Sequence, residues 1–319
     1  MELKEIKKDV YACLQKDKGF GWNNAGFVNL GGGLAIDTFI DLNLTRQMIQ
    51  LYKTVTDKPI RRLVNTHHNC DHVWGNQLFK NSEIIAHQLC AKEMEKEKRM
   101  NMPAVFENFK QMPDKLSSQI NQFVESLNEF EYSDIEITLP NHLLEESLEL
   151  ELDGYPCQLI YVGPAHTVGD LIVYLPEHKV IFAGDIVFSH CTPVGWEGTH
   201  AKWIEALDLL VSLNPEIIVP GHGPLCDIDM VKELRTYFEY VYSEARRFFD
   251  DGLDPLEASK KIDISSYIKW TGPEKLYFSV YRAYREFRND VSLNTPINAL
   301  ALFRKCNELW IYWKENGLI

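Results

Sequence analysis

Short apolar runs alternate with turn-forming residues through the first third of the chain. Three runs have the length and composition of β-strands, at residues 10–14, 26–30 and 34–40. The glycines at 31–33 predict a tight hairpin between the last two runs. Residues 42–52 have helical spacing, and a run at 60–64 predicts a short strand that ends at a histidine cluster.

Helical patterns dominate two later regions. Residues 87–127 are helical in pattern and strongly charged, and after about residue 226 apolar residues recur at three- and four-residue steps. Between these regions lie a predicted helix at 201–213 and strand-like runs at 148–152, 157–162, 171–175, 180–183 and 216–220, the last expected to stop at Pro220. We therefore predict an α/β body over residues 1–226, with a helical insertion at about 87–128, and a helical C-terminal cap over residues 227–319.

Composition narrows the classes of function. The 319 residues include 33 Lys and Arg against 46 Asp and Glu, a net charge of −13, which argues against nucleic-acid binding. No apolar run approaches the roughly 20 residues that span a bilayer, and the first residues do not form a signal peptide. The seven cysteines are scattered without a C-x-x-C pair, which favours reduced thiols. We therefore expect a cytoplasmic protein that binds neither nucleic acid nor membranes.

Four segments that end strand-like runs carry histidine or aspartate. They are THHNCDH at 66–72, PAHTVGD at 164–170, GD at 184–185 and GHG at 221–223. One such histidine alone is usually structural, but side chains at the ends of neighbouring strands converge on one edge of a sheet. Imidazole nitrogens mixed with carboxylate oxygens suit Zn, Fe or Mn, so the four segments together predict a metal site.

The order of these segments resembles the metallo-β-lactamase superfamily of hydrolases, over roughly residues 10–226 without the insertion. The resemblance implies a four-layer αββα sandwich of mixed α/β class, with metals at one edge of the two sheets. It also implies two metal sites that share a bridging aspartate: His67 and His166 in the first, Asp71, His72 and His222 in the second, and Asp185 between them. Members similar to glyoxalase II also carry a helical C-terminal substrate domain.

The sequence departs from the family pattern H-x-H-x-D-H at one position, where Asn69 replaces the second histidine. An amide oxygen is a neutral and weaker donor than imidazole, so we expect the first site to bind metal less tightly than the second. His68 and Cys70 flank Asn69, but in an extended segment they would point away from the ligands. The expected cofactor is one or two Zn²⁺ ions in unequal sites, with Fe or Mn as alternatives.

Asp71 is the candidate catalytic residue. A divalent metal in such a site lowers the pKa of its water to roughly 7, which supplies hydroxide at neutral pH and polarises the group under attack. The free oxygen of Asp71 would orient that water and take up its proton.

The segment 188–200 follows Asp185 and fits neither a regular strand nor a regular helix. It is interpreted either as a wall of the substrate pocket or as a plain connector. The candidate pocket residues, in this segment and before the strand at 26–30, are Trp22, Asn24, His190, Cys191, Trp196 and His200. Arg282, Arg285 and Arg288 step by three along a predicted helix, where they could receive a substrate carboxylate or phosphate. Glu286 and Asp290 lie nearby and favour a solvated ion-pair face instead.

The predicted metal site and the family resemblance together imply an enzyme, a metal-dependent hydrolase, and the resemblance implies that its substrate is a small-molecule ester, thioester, lactone or amide. One alternative is an iron-dependent oxygenase similar to the persulfide dioxygenases of the same fold. Another is a metal-binding protein with little catalysis that acts through partner contacts. The aromatic C-terminal helices would form either a lid over the substrate or the surface of a homo-oligomer.

Overall fold

The computed structural model describes residues 1–16, 18–111, 120–290 and 298–319. Within these residues the strands form a seven-stranded and a five-stranded sheet. The first sheet runs in sequence order: β1 (Glu2–Lys7), β2 (Val10–Leu14), β3 (Ala25–Val28), β4 (Leu34–Ile36), β5 (Arg62–Val64), β6 (Glu83–His87) and β7 (His142–Leu144). The second has the order β12-β11-β10-β9-β8, formed by β8 (Leu148–Leu152), β9 (Tyr155–Tyr161), β10 (Leu171–Leu175), β11 (Val180–Phe188) and β12 (Ile217–His222).

All the described α-helices except the short one at Cys70–Val73 lie in regions predicted to be helical. In chain order the described helices are α1 (Leu42–Tyr52), α2 (Cys70–Val73), α3 (Gln88–Met100), α4 (Met102–Lys110), α5 (Asn121–Leu127), α6 (His200–Leu213), α7 (Ile228–Asp250), α8 (Pro255–Lys261), α9 (Leu276–Phe287) and α10 (Ala299–Glu315). Helix α1 begins where Asp41 caps the backbone N–H of Leu44, and α6 begins where Thr199 caps that of Lys202. None of the described helices is long and apolar enough to span a membrane.

The hydrophobic residues form layers between these elements. Side chains such as Val28, Val64 and Val173 fill the space between the two sheets. On the outer face of the first sheet, Tyr52 of α1 stacks on Phe27 of β3 with ring centroids 4.7 Å apart. Helices α6 and α7 cover the outer face of the second sheet. The arrangement is the predicted αββα sandwich.

The C-terminal helices α7 to α10 pack on this second outer face. Phe238 of α7 and Phe278 of α9 belong to the same hydrophobic cluster as Trp203 of α6 and Ile181 of β11. Helices α3, α4 and α5 form the insertion, whose residues 112–119 lie outside the described residues. The division into two domains at residue 226 stays a prediction.

Two local expectations were wrong. Strand β12 does not stop at Pro220 but continues to His222, because its parallel pairing with β11 extends to Phe188 opposite His222. The segment 67–71 is extended at Asn69 but not beyond it, because Cys70 begins the short helix α2. Strands β1, β6 and β7 were not predicted, since each contains only two or three apolar residues and none alternates strictly.

Candidate active site

The predicted ligands lie at one edge of the sandwich, where several strands end. His67 follows β5, His222 ends β12, and Asp185 lies within β11. Asn69 precedes α2 with extended backbone angles, so the chain turns directly into a helix that carries Asp71 and His72. This turn brings donors that are close in sequence around a common centre.

Two groups of three donors are buried at this edge. One comprises His67, His166 and Asp185, and the other comprises Asp71, His72 and His222. Within each group the potential ligand atoms all lie within 4.8 Å of one another. These groups contain the six strong donors that the family resemblance implies.

Asp185 belongs to the first group but also faces the second. Its Oδ2 is 3.4 Å from Nε2 of His166 and 3.5 Å from Nε2 of His222, and its Oδ1 is 3.2 Å from Nε2 of His72. The carboxylate therefore faces histidines of both groups, as expected for a bridging ligand.

Each of the four histidines is anchored through its other ring nitrogen. Nδ1 of His72 donates to Asp37 Oδ2 (2.8 Å), Nδ1 of His67 to Thr66 Oγ1 (3.0 Å), Nδ1 of His166 to the Val194 carbonyl (2.6 Å) and Nδ1 of His222 to the Trp22 carbonyl (3.2 Å). With the proton on Nδ1, every Nε2 directs its lone pair toward the centre of the site. Such outer hydrogen bonds orient histidine ligands in metal sites.

The buried donors fit a divalent metal. Among the described residues, Nε2 of His67, Nε2 of His72 and Oδ1 of Asp185 are buried and have no hydrogen-bond partner. Leaving several polar atoms buried without a hydrogen bond is costly, and a metal ion satisfies them together. The mixture of nitrogen and carboxylate donors suits zinc and is also compatible with iron or manganese.

The charges of the site support the same conclusion. Burial acts to lower the pKa of His222, but the carboxylates of Asp185 and Asp71 outweigh it and raise that pKa to about 10. Burial alone would raise the pKa of Asp71, but His72 and His222 hold it below its ordinary value. The centre thus concentrates negative charge that protons or a divalent cation can balance, and metal binding would release protons.

Asn69 lies within the first group of donors. Its amide Nδ2 is 3.0 Å from Nε2 of His166, and a half-turn of the amide would present Oδ1 at the same place. His68 is buried but belongs to neither group of donors, and burial lowers its pKa to about 3. Cys70 is a buried thiol with a raised pKa, packed among apolar side chains. Neither neighbour lies where it would replace Asn69.

A cavity of about 50 Å³ opens over the donors. Asn69, Asp71, His166, Asp185 and His222 contribute to its wall. Of the predicted pocket residues, Cys191 and Trp196 line it. The segment after Asp185 therefore forms part of the wall, through Phe188 and Val194 as well as these two residues.

The other predicted pocket residues have different roles. Asn24 donates to the carbonyls of Pro220 and Gly223 and so ties β12 to the first sheet. His190 is exposed, and His200 is buried against Glu286, with Nδ1 2.7 Å from Oε1. Trp22 contributes its backbone carbonyl to His222, while its ring packs on Phe130. None of these four side chains is among the residues that line the cavity over the donors.

Three contributors were missed or misread from the sequence. Asp37 accepts hydrogen bonds from Thr66 and His72, but the strand predicted at 34–40 placed it inside a strand, whereas β4 ends at Ile36. Lys275 lines the cavity over the donors, and no local pattern marked it. Arg282 does not lie on a solvated face: it is buried and donates to the carbonyls of Ala165, Glu197 and Gly198.

Comparison with known proteins agrees with this geometry. The model of the metallo-beta-lactamase superfamily matches residues 21–222, which include every donor described above. The chain belongs to the metallo-beta-lactamase superfamily. Among relatives of this superfamily, a linear primary-alkylsulfatase from a Pseudomonas species is 22% identical over 284 residues, or 80% of this chain and 53% of the relative.

Two further relatives extend the comparison. The alpha subunit of 2,4-dinitroanisole O-demethylase from a Nocardioides species is 25% identical over 195 residues, or 60% of this chain and 49% of that subunit. The solved structure of a stereoselective inverting sec-alkylsulfatase from Pseudomonas has a TM-score of 0.66 at 18% identity, and the match covers 89% of this chain and 50% of the sulfatase. The chain spans about half the length of the curated relatives that it matches.

Proposed function

We propose that this member of the metallo-beta-lactamase superfamily is a zinc-dependent hydrolase of a small-molecule ester, thioester, lactone or amide. The observation that supports this most directly is the position of Asp71. Its side chain lies in the wall of the cavity, beside histidines that face the carboxylate of Asp185. Because one relative is named as an alkylsulfatase, alkyl sulfate esters join the candidate substrates.

The side chains have distinct roles in this proposal. His67, Asn69, His166 and Asp185 would hold one metal, and Asp71, His72, His222 and Asp185 the other. A bound divalent metal would supply Lewis acidity and lower the pKa of a water molecule. Asp71, which also faces the cavity, would orient the water and accept its proton. Lys275 in the same wall would stabilise negative charge on the substrate.

A panel of substrates tests the proposal. We expect protein loaded with Zn²⁺ to hydrolyse at least one of the ester, thioester, lactone, amide and alkyl sulfate classes. Removal of metal by a chelator should abolish the activity, and re-addition of Zn²⁺ should restore it. A variant with His72→Ala, purified in parallel, should stay inactive after re-addition because one site loses a donor. Equal rates before and after chelation would contradict the proposal.

Each group of donors also contains two histidines and one carboxylate, the set found in non-haem iron oxygenases. This composition favours an iron-dependent oxygenase as the second candidate. Elemental analysis of protein purified without added metal, together with oxygen consumption on a persulfide substrate, separates the two. Iron with oxygen uptake supports the oxygenase, whereas zinc without oxygen uptake supports the hydrolase.

Replacing Asn69 by histidine is expected to raise the metal content. The amide is a weaker donor than imidazole, so we expect about one Zn²⁺ per wild-type chain and about two per chain in Asn69→His. Elemental analysis after dialysis against a weak chelator measures both values. Two ions in each protein would show that the amide serves as a full ligand, contrary to a weakened first site.

The cellular location and the oligomeric state stay predictions. The expected location is the cytoplasm. A size-exclusion measurement with light scattering tests the expected homo-oligomer.

A further inference from the structure

A second cavity, of about 320 Å³, lies beside the site between the insertion helices and α10. Met102, Val105, Phe106 and Phe109 of α4 form one wall, and Leu300 and Phe303 of α10 form part of the opposite wall. Its size falls within the range of small-molecule pockets.

This second cavity adjoins the cavity over the donors. Phe20, Asn69, Asp71, Trp196 and Phe303 contribute to the walls of both. The ring of Phe303 stacks on Phe123 with centroids 4.2 Å apart and meets Trp196 at 6.3 Å. A molecule with one end at Asp71 would have its other end beside these aromatic rings.

The wall offers little to a polar ligand. Glu97 lies in it and accepts a hydrogen bond from Nε1 of Trp74 (3.2 Å), so the polar atom of Trp74 is already used. Burial raises the pKa of Glu97 to about 8, so this carboxyl carries little charge at neutral pH. Nε1 of Trp196 also lies in this wall and is buried without a hydrogen-bond partner. Apart from the two indole N–H groups, Asn69 and Asp71 at the junction, and Glu97 and Asn298, the wall side chains among the described residues are apolar or a thiol.

We infer that this second cavity binds an apolar alkyl or aryl group attached to the bond that is broken. The inference rests on the proposed hydrolase and names its substrate class: a molecule with a hydrolysable head at Asp71 and an apolar tail between α4 and α10. Burial of the tail would select substrates by chain length, because each methylene transferred from water contributes a similar amount to the free energy of binding.

Two series of compounds test the inference on the intact, metal-loaded chain. The first is a set of straight-chain alcohols from butanol to decanol, whose binding is measured by calorimetry without any reaction. The second is a set of substrates of the hydrolysed class that differ only in tail length. We expect affinity and kcat/KM to rise by about fourfold per methylene until the cavity is filled.

A matched pair of variants on α10 locates the effect. Ala299 lines the cavity, whereas Ala301 is exposed on the same helix. Ala299→Trp should fill the cavity and remove the dependence on chain length, while Ala301→Trp should keep it. Val105→Trp repeats the block from the opposite wall, in case Ala299→Trp does not fold.

The outcomes separate this inference from the proposed function. Binding of alcohols that is lost in Ala299→Trp, without hydrolysis of any substrate, would support the cavity and contradict the hydrolase. Hydrolysis with no dependence on chain length would support the hydrolase and overturn the inference. If affinity and kcat/KM still rose with chain length in both Ala299→Trp and Val105→Trp, the inference would also be overturned.

Discussion

Replacing Asp71 by asparagine is expected to lower kcat by about 100- to 10,000-fold, the usual contribution of a positioned general base. The carboxylate Oδ2 lies 3.3 Å from Nε2 of His222 and 3.9 Å from Nε2 of His72, so it belongs to one group of donors while facing the cavity. Asparagine keeps the shape of the side chain but cannot accept a proton at neutral pH.

The loss has a metal-binding part and a catalytic part, which titration separates. Increasing the Zn²⁺ concentration restores metal occupancy by mass action and so removes the metal-binding part of the loss. The deficit in kcat that remains at saturating Zn²⁺ is the catalytic part. Cys70→Ala, on the same short helix, is the control and should retain most of the activity on a short-tailed substrate. A kcat within threefold of wild type at saturating Zn²⁺ would exclude Asp71 as the base.

Replacing Arg282 by methionine is expected to lower the free energy of unfolding by about 3 kcal/mol or more. The buried guanidinium donates to the carbonyls of Ala165, Glu197 and Gly198, the last at 3.0 Å from Nε. It also lies 5.1 Å from the ring centroid of Trp203. Methionine fills a similar volume but leaves all three carbonyls without this donor.

The site should weaken together with the fold. Arg282 donates to the carbonyl of Ala165, which directly precedes the ligand His166, so Arg282 holds the segment that carries this ligand. The carbonyl of His166 itself accepts from the backbone N–H of Trp196 at 2.9 Å. We expect lower zinc affinity in Arg282→Met and partial recovery in Arg282→Lys. Arg288→Met is the control, because Arg288 is exposed and should change stability by less than about 0.5 kcal/mol.

Urea unfolding and zinc titration measure the two effects. If Arg282→Met unfolded at the same urea concentration as Arg288→Met, the three hydrogen bonds would contribute nothing to stability. If stability fell while zinc affinity stayed constant, Arg282 would support the C-terminal helices without positioning His166.

Several elements could be read directly from the chain because their signals are local. The helical spacing of residues 42–52 and the apolar runs at 10–14, 148–152 and 171–175 match α1, β2, β8 and β10 residue for residue. Local patterning determines such elements when one face is buried. The weakly patterned strands β1, β6 and β7 depend on their neighbours in the sheet and were not foreseen.

The six strong donors could be inferred for a similar reason. Each follows or ends a strand-like run in a short segment of His, Asp and Gly, and the order of those segments carries the family resemblance. The packing of the sandwich then brings the segments to one edge. Spacing along the chain cannot show that Asp185 faces both groups, because that contact joins four separate parts of the sequence.

By itself, the sequence determined the class of fold, the helical character of the insertion and C-terminal region, and the candidate ligands with their departure at Asn69. Tertiary structure alone decided that Arg282 is buried, that Lys275 reaches the cavity, and that α4 and α10 enclose an apolar space beside Asp71. The physical reason is that burial and enclosure arise when distant segments pack together. Apolar residues at helical spacing indicate that one face of a helix is buried. They do not show which element covers that face or what space is left between the two elements.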